Sequence, residues 1–179
     1  QVAECRPESR RPIRKNLLHL QNNPHMDLFK KYYGLTAHYL ARRPHSTREV
    51  RDYLLKKKAP EDVIEKIIAS MQRDKFLNDL DFAHWWREQR TRFRTKSDRV
   101  IRMELKQKGI ATDIIALVFE EKTEETKTDL EKARLLIEKY SRRFDGLEGH
   151  EKYRKIQMFL GSRGFDYETI KQAIDDILE

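Results

Sequence analysis

Apolar residues recur at intervals of three and four positions along most of the chain. In residues 50–54 and 63–71 these positions share one side of a helical wheel, and charged residues occupy the other side. Such spacing is typical of amphipathic α-helices with one side on a core. Ser46 and Glu49 match a capping box, which predicts a helix start at this point. The pattern therefore predicts an all-α protein.

The helical pattern repeats with a period of about 50 residues, three helices to each repeat. The positions matched across the three repeats are Leu55, Leu105 and Leu160; Ala59, Gly109 and Gly164; and Ile64, Ile114 and Ile170, with one extra residue before the last. A glycine at the second of these positions suits the left-handed residue that ends many helices. In the middle repeat the three predicted caps are Asn78, Ser97 and Thr112.

This pattern predicts three tandem three-helix repeats, each resembling a helix-turn-helix unit, in an elongated and curved array. We expect repeat 1 over residues 36–77, repeat 2 over 78–122 and repeat 3 over 123–179. Residues 1–35 do not follow the repeat. They are predicted to form a basic N-terminal extension with a short helix, which Pro24 ends.

Composition narrows the protein class. The 179 residues (21.6 kDa) are 38% charged and 38% hydrophobic, with only 6 Gly and 5 Pro. These values exclude a collagen-like chain, and the single Cys5 excludes an internal disulfide framework. The sequence has no apolar run of membrane-spanning length and no secretory leader, so we expect a cytoplasmic protein without a membrane partner.

The positive charge is unevenly distributed. The net charge is +8, whereas residues 122–179 carry 12 basic and 13 acidic side chains. Residues 87–108 hold nine basic and three acidic side chains, the densest cationic stretch. Its basic members are Arg87, Arg90, Arg92, Arg94, Lys96, Arg99, Arg102, Lys106 and Lys108. They are the primary candidates for contact with a filament or with DNA, because cationic clusters attract phosphates and acidic protein surfaces.

A second set of basic candidates lies in repeat 1: Arg42, Arg43, Arg48, Arg51, Lys56, Lys57 and Lys58. The alternative for both sets is an ordinary solvated helix face. We expect the double substitution of Arg99 and Arg102 by Ala to weaken binding with little change in stability, because exposed charges contribute little.

The sequence gives little support for base stacking, metal binding or catalysis. Trp85 and Trp86 could stack on bases, but adjacent helical residues diverge, and a core position is favoured for at least one. Histidines 38, 45, 84 and 150 lack metal-site spacing and are interpreted as surface or capping residues, so no metal is expected. Asp79 and Asp81 fit a helix N-terminus. No phosphate-binding glycine loop or activated nucleophile is present, so we expect no catalytic residue, no cofactor and no enzyme.

Four segments resemble the RecX regulators of the RecA recombinase: residues 37–49 (AHYLARRPHSTRE), 74–90 (DKFLNDLDFAHWWREQR), 99–110 (RVIRMELKQKGI) and 155–165 (KIQMFLGSRGF). Their order covers about residues 36–179. Asn78, Leu80-Asp81 and Ala59-Pro60 depart from the family's usual residues. The resemblance implies a regulator that binds the groove of the RecA filament on single-stranded DNA and mostly inhibits its ATPase, strand-exchange and coprotease activities, in DNA repair and the SOS response.

Two alternative functions follow, of which the first is favoured. In the first, a monomer lies along the RecA filament, with weak contact to single-stranded or double-stranded DNA. In the second, the chain is an autonomous single- or double-stranded DNA-binding module that competes for DNA without any recombinase. Sequence-specific readout by the helix-turn-helix-like units is disfavoured, because no Asn, Gln and Arg set shares a recognition face.

Overall fold

The computed structural model describes residues 24–121 and 127–178, and within these ranges all regular secondary structure is helical. The predicted all-α class is confirmed. The helices are α1 (Pro24–Leu40), α2 (Thr47–Lys56), α3 (Glu61–Arg73), α4 (Asp79–Gln89), α5 (Asp98–Gln107), α6 (Thr112–Glu120), α7 (Asp129–Lys139), α8 (Gly149–Gly161) and α9 (Tyr167–Leu178). A π-helical turn (Arg90–Arg94) follows α4, and a 3-10 turn (Ser141–Arg143) follows α7. None of the described helices is long and apolar enough to cross a membrane.

Three separate hydrophobic cores divide the helices into three units. Unit 1 (α1–α3) packs around Leu54 and Ile64, unit 2 (α4–α6) around Phe82 and Leu105, and unit 3 (α7–α9) around Leu160. Each core is built from the apolar sides of its own three helices, as the periodicity predicts. The three tandem three-helix repeats are therefore present.

The helix caps lie at the residues predicted from the sequence, except for one cap that lies one residue earlier. The capping box at Ser46 and Glu49 is formed, and Asn78 and Ser97 cap α4 and α5. Thr112 was expected to cap the third helix of unit 2, but Ala111 holds that position and Thr112 is the first helical residue.

The first unit begins earlier than predicted. Helix α1 starts at Pro24, so a division between residues 35 and 36 falls inside a helix. Tyr32 is buried in the core of unit 1, and Leu28 and Phe29 pack against it. These residues were assigned to the extension because they precede the repeated pattern. The predicted basic arm before Pro24 lies outside the described residues.

The repeats align one residue differently in unit 1. Leu54 is fully buried, as are Leu105 and Leu160, whereas Leu55 is 48% exposed. Left-handed backbone occurs at Lys58 (φ 60°), Gly109 (φ 80°) and Gly164 (φ 87°), each four residues after its buried leucine. The equivalent buried isoleucines are Ile64, Ile115 and Ile170. With this register no extra residue is needed in unit 3, and Ala59 is a core residue instead of the left-handed one.

Neighbouring units are joined by similar contacts at the two junctions. Ser46 Oγ donates a hydrogen bond of 2.7 Å to the Lys108 carbonyl, and Ser97 Oγ donates one of 2.7 Å to the Gly164 carbonyl. The first amide of each capped helix also donates to an aspartate of the next unit: Thr47 to Asp79 at 2.7 Å, and Asp98 to Asp129 at 3.1 Å. Both junctions use a serine cap, the first amide of the capped helix and an aspartate of the next unit, so the three units follow one another as a tandem array.

Candidate functional site

The structure separates the predicted basic cluster into paired and exposed members. Glu104 of α5 accepts hydrogen bonds from Arg90 Nε at 2.6 Å, Lys96 Nζ at 2.5 Å and Trp86 Nε1 at 2.9 Å. Burial of the Glu104 carboxyl would raise its pKa, but these three hydrogen bonds together lower it. Arg90 also lies over the Trp86 ring, 4.0 Å from its centroid. Arg90 and Lys96 therefore hold the C-terminal end of α4 against α5.

Two further candidates form an ion-pair network between units 1 and 2. Glu49 pairs with Arg43 Nη1 at 3.0 Å and with Lys108 Nζ at 2.5 Å. Burial opposes ionisation of Glu49, but hydrogen bonds and charge from Arg43 and Lys108 lower its pKa to about 2. Lys108 thus connects unit 2 to unit 1 through Glu49, and Arg43 pairs with the same carboxylate from within unit 1.

Arg87 and Arg102 both pack on the buried ring of Phe119, with guanidinium carbons 4.7 and 4.0 Å from its centroid. Arg87 Nη1 also donates a hydrogen bond of 2.6 Å to the Val118 carbonyl. Both side chains are half-buried. The expectation that Ala at Arg99 and Arg102 would leave stability nearly unchanged therefore stays a prediction for the exposed Arg99, whereas loss of Arg102 should also cost stability, since Arg102 covers core surface.

Eight of the remaining candidates are exposed. Among the primary set, Arg92, Arg99 and Lys106 are exposed, and the side chain of Arg94 lies outside the described part of the structure. In repeat 1, Arg51 pairs with Glu61 and Glu65, both at 2.5 Å. The exposed members of that second set are Arg42, Arg48, Lys56, Lys57 and Lys58.

A groove lies where unit 2 meets unit 3. It measures about 1090 Å³ and is bounded by α4 and the π-helical turn on one side and by α7 on the other. Apolar surface comes from Trp85, Leu135 and Leu136. Five basic side chains and two carboxylates line it: Arg87, Arg92, Lys127, Lys132 and Lys139, with Glu88 and Glu121. The groove is therefore suited to an anionic partner that also offers apolar or aromatic surface.

A smaller pocket of about 350 Å³ shares Thr95, Leu136 and Lys139 with the groove and extends it along unit 3. Lys96 and Arg163 contribute positive charge, and no carboxylate lines this pocket. Phe93, on the π-helical turn, is 68% exposed beside it. We call the groove and this pocket together the basic groove.

Sequence reasoning missed the third unit's share of the basic groove. Because residues 122–179 have no net positive charge, the contact surface was expected on the N-terminal part and repeat 2. Lys132, Leu136 and Lys139 are spaced i, i+4 and i+7, so they share one side of α7, and this spacing was the available signal. Lys132 itself is 3% exposed and pairs with Asp98 at 2.6 Å and Asp129 at 2.8 Å, so it links the units.

The predictions for the tryptophans and the histidines had mixed outcomes. Trp86 is buried in the core of unit 2, as favoured, whereas Trp85 is half-buried at the groove wall. His45 was interpreted as a surface or capping residue, but it is buried; its ring lies 3.8 Å from that of Tyr39, and burial lowers its pKa. His84 is half-buried at the groove wall. Within residues 24–121 and 127–178, no group of His, Cys, Asp or Glu could hold a metal ion.

Comparisons with known proteins match this architecture. Family models match the chain unit by unit: RecX, first three-helix domain, at residues 33–71; RecX, second three-helix domain, at 78–118; and RecX, third three-helix domain, at 127–174. The three matches follow the order of the three structural units.

Similar proteins carry the same family name. "Regulatory protein RecX" of Bacillus pumilus is 31% identical over 150 residues, which cover 84% of this chain and 56% of that protein. The chain thus spans little more than half of that relative. "Regulatory protein RecX" of Prosthecochloris aestuarii is 31% identical over 142 residues, which cover 78% of this chain and 89% of that protein. The crystal structure of RecX from Lactobacillus salivarius superposes with a TM-score of 0.70 at 27% identity, covering 84% of this chain and 97% of that one.

Proposed function

Because the chain belongs to the RecX family of regulatory proteins, we propose that it binds the RecA filament on single-stranded DNA and lowers the filament's ATPase, strand-exchange and coprotease activities. The basic groove is the observation that carries this proposal. It combines cations from two units with apolar surface from Trp85 and Leu135. A nucleoprotein filament offers both phosphates and acidic protein surface to such a groove.

The action proposed here requires no catalysis. A tandem array that contacts adjacent filament subunits would oppose the relative movement that accompanies ATP turnover. The two serine-to-carbonyl junctions and the Glu49 and Lys132 ion pairs support this, since they join each unit to the next by several bonds. The proposed setting is DNA repair and the SOS response, in the cytoplasm, by a monomeric non-enzymatic protein.

The basic groove is tested with Arg92→Glu combined with Lys139→Glu. Both side chains are exposed and lie on opposite groove walls. Reversing them should raise the protein concentration needed to inhibit the single-strand-dependent ATPase of RecA by at least about tenfold, because like charges would then face the filament. The matched control is Lys66→Glu with Lys171→Glu. It makes the same change in net charge at exposed sites away from the groove.

Unchanged inhibition by the groove variant, with both proteins folded by circular dichroism, would refute the groove as the contact surface. No inhibition by the unaltered chain at any concentration would refute the regulatory function itself.

A second candidate is the autonomous DNA-binding module, which the exposed Phe93 beside Lys96 and Arg163 favours. Exposed aromatic rings among cations are a common arrangement for stacking single-stranded bases. This candidate requires tight binding to bare single-stranded DNA. For about six neutralised phosphates, log affinity should fall against log salt with a slope of about −4 on single strands. Binding that disappears at 0.15 M salt would instead favour the filament.

A further inference from the structure

The second helices of the three units carry an arginine at the same position. Arg48, Arg99 and Arg154 each stand ten residues before the left-handed residue of their unit, at 58, 109 and 164. All three are exposed. This equivalence is hidden in the sequence, because it depends on the register that the buried leucines and the left-handed residues define.

Units 2 and 3 also share an exposed methionine. Met103 and Met158 each follow the arginine by four residues, so each arginine and methionine share one side of the helix, a turn apart. Met103 is 51% exposed and Met158 is 66% exposed. Unit 1 has Asp52 at this position, so its Arg48 lacks an apolar neighbour of the same kind.

The fold itself gives no reason for these pairs. Within the described ranges, no hydrogen bond or ion pair holds Arg99 or Arg154, in contrast to Arg90 and Arg43. Arg99 acts only at longer range, where its charge helps the Thr169 amide to lower the pKa of Asp166. Arg48 differs, because its side chain lies against Gly109 and so contributes to the first junction.

The two pairs lie in a row along the array. Helix α5 reaches the left-handed loop of unit 3 through Ser97 just as α2 reaches that of unit 2 through Ser46. Since the two junctions use the same kinds of contact, equivalent positions on successive units are related by a similar step. The spacing of the two pairs is therefore set by the repeat.

We propose that Arg99 with Met103, and Arg154 with Met158, are two equivalent contact points for a protein partner built of identical subunits. Each subunit provides a carboxylate for the arginine and an apolar surface for the methionine. Arginine and methionine are enriched in protein–protein interfaces, whereas a single-stranded nucleic acid selects cations beside aromatic rings. Two identical contact points at a fixed step match a partner that repeats with its own fixed step.

This proposal rests on the proposed function in one respect: it takes the RecA filament as the repeating partner. Bivalent attachment makes a quantitative prediction, because the second contact forms within an already bound complex. Removing one pair should weaken binding about tenfold or more, and removing both should weaken it by about 10²-fold or more.

The test measures cosedimentation of the full chain with RecA filaments on single-stranded DNA, held with a non-hydrolysable ATP analogue. The variants are Arg99→Ala with Met103→Ala, Arg154→Ala with Met158→Ala, and all four together. The control is Lys66→Ala with Lys155→Ala, which removes two exposed cations, one of them beside Arg154 on α8. Fluorescence anisotropy with bare single-stranded DNA is recorded for each protein.

We expect stepwise loss of filament binding with bare-DNA binding unchanged. If the unaltered chain binds the filament and the four-residue variant binds it equally well, the two proposed contact points are refuted while the proposed function stands. Equal loss of bare-DNA and filament binding would also refute them, because these residues would then contact nucleic acid. If the unaltered chain does not cosediment, the proposed function is refuted, and the RecA filament is then not the partner of these two contact points.

Discussion

At the residue scale, two glycines show why a repeat protein needs certain residues only between units. Gly109 and Gly164 have positive φ, and both lie against the preceding unit. A Cβ at Gly109 would come within 2.7 Å of Arg48, and one at Gly164 within 2.1 Å of Val100. Lys58 occupies the equivalent left-handed position in unit 1, the first of the three units described. Glycine is therefore demanded by conformation and by close approach together.

We expect Gly164→Ala to lower the free energy of unfolding by about 2–4 kcal/mol, because it adds left-handed strain and a clash with Val100. Lys58→Gly should be neutral or stabilising by up to about 1 kcal/mol, since it relieves left-handed strain in a helix terminus. Urea denaturation measures both. Equal effects of the two substitutions would contradict the close-approach argument.

At the element scale, the serine caps have two functions. Ser97 accepts the Val100 amide, which begins α5, and its hydroxyl donates to the Gly164 carbonyl, which joins the units. Thr128 caps α7 in a complete capping box, yet its hydroxyl bonds only within its own helix start. The same sequence signal thus marks a helix end in one place and an inter-unit contact in another.

Comparison of Ser97→Ala with Thr128→Ala separates these functions. Both variants should lose the helix cap, which should lower the free energy of unfolding by about 1 kcal/mol. Ser97→Ala should lower the free energy of unfolding by a further ~1–3 kcal/mol, because the buried Gly164 carbonyl loses its donor. Thermal unfolding of the two variants checks this. A smaller loss for Ser97→Ala than for Thr128→Ala would show that the junction bond adds nothing.

At the scale of the whole molecule, ion pairs between units decide how strongly the array behaves as one body. Glu49 and Lys108 join units 1 and 2, and Lys132 joins Asp98 of unit 2 to Asp129 of its own unit. These side chains count as charged surface in the composition, yet they are largely withdrawn from water. Several of the cations most conspicuous in the sequence therefore form ion pairs that stabilise the molecule.

The Glu49 network predicts a pH dependence. The folded-state pKa of about 2 lies below the usual 4.5, so the stabilisation is complete above pH 4.5 and is lost as the pH falls towards 2. At pH 7, Glu49→Gln should lower the free energy of unfolding by about 2 kcal/mol, a value reduced for solvent screening of the pair.

The difference between the unaltered chain and Glu49→Gln should shrink steadily between pH 4.5 and pH 2.5 in urea titrations. The control is Glu120→Gln, which changes the same charge at an exposed position. A stability difference that stays constant over this pH range would contradict the ion-pair explanation.

The sequence alone determined the all-α class, the three repeats and most helix starts, because these depend on local periodicity and capping. The resemblance in residues 37–49, 74–90, 99–110 and 155–165 also indicates the RecX family from sequence alone. The register of unit 1 and the inclusion of α1 were missed. The spacing from Val50 already put Leu54 on the buried side of the helix, but the alignment of the repeats used Leu55, which is exposed.

The tertiary structure decided which charges are available. Arg90, Lys96, Arg43 and Lys108 look like Arg92 and Arg99 in a count of charges, but their carboxylate partners lie up to 59 residues away. The basic groove likewise combines α4 with α7, which are distant in sequence. Long-range pairing depends on how the units dock, so local pattern determines the helices and docking determines the surface.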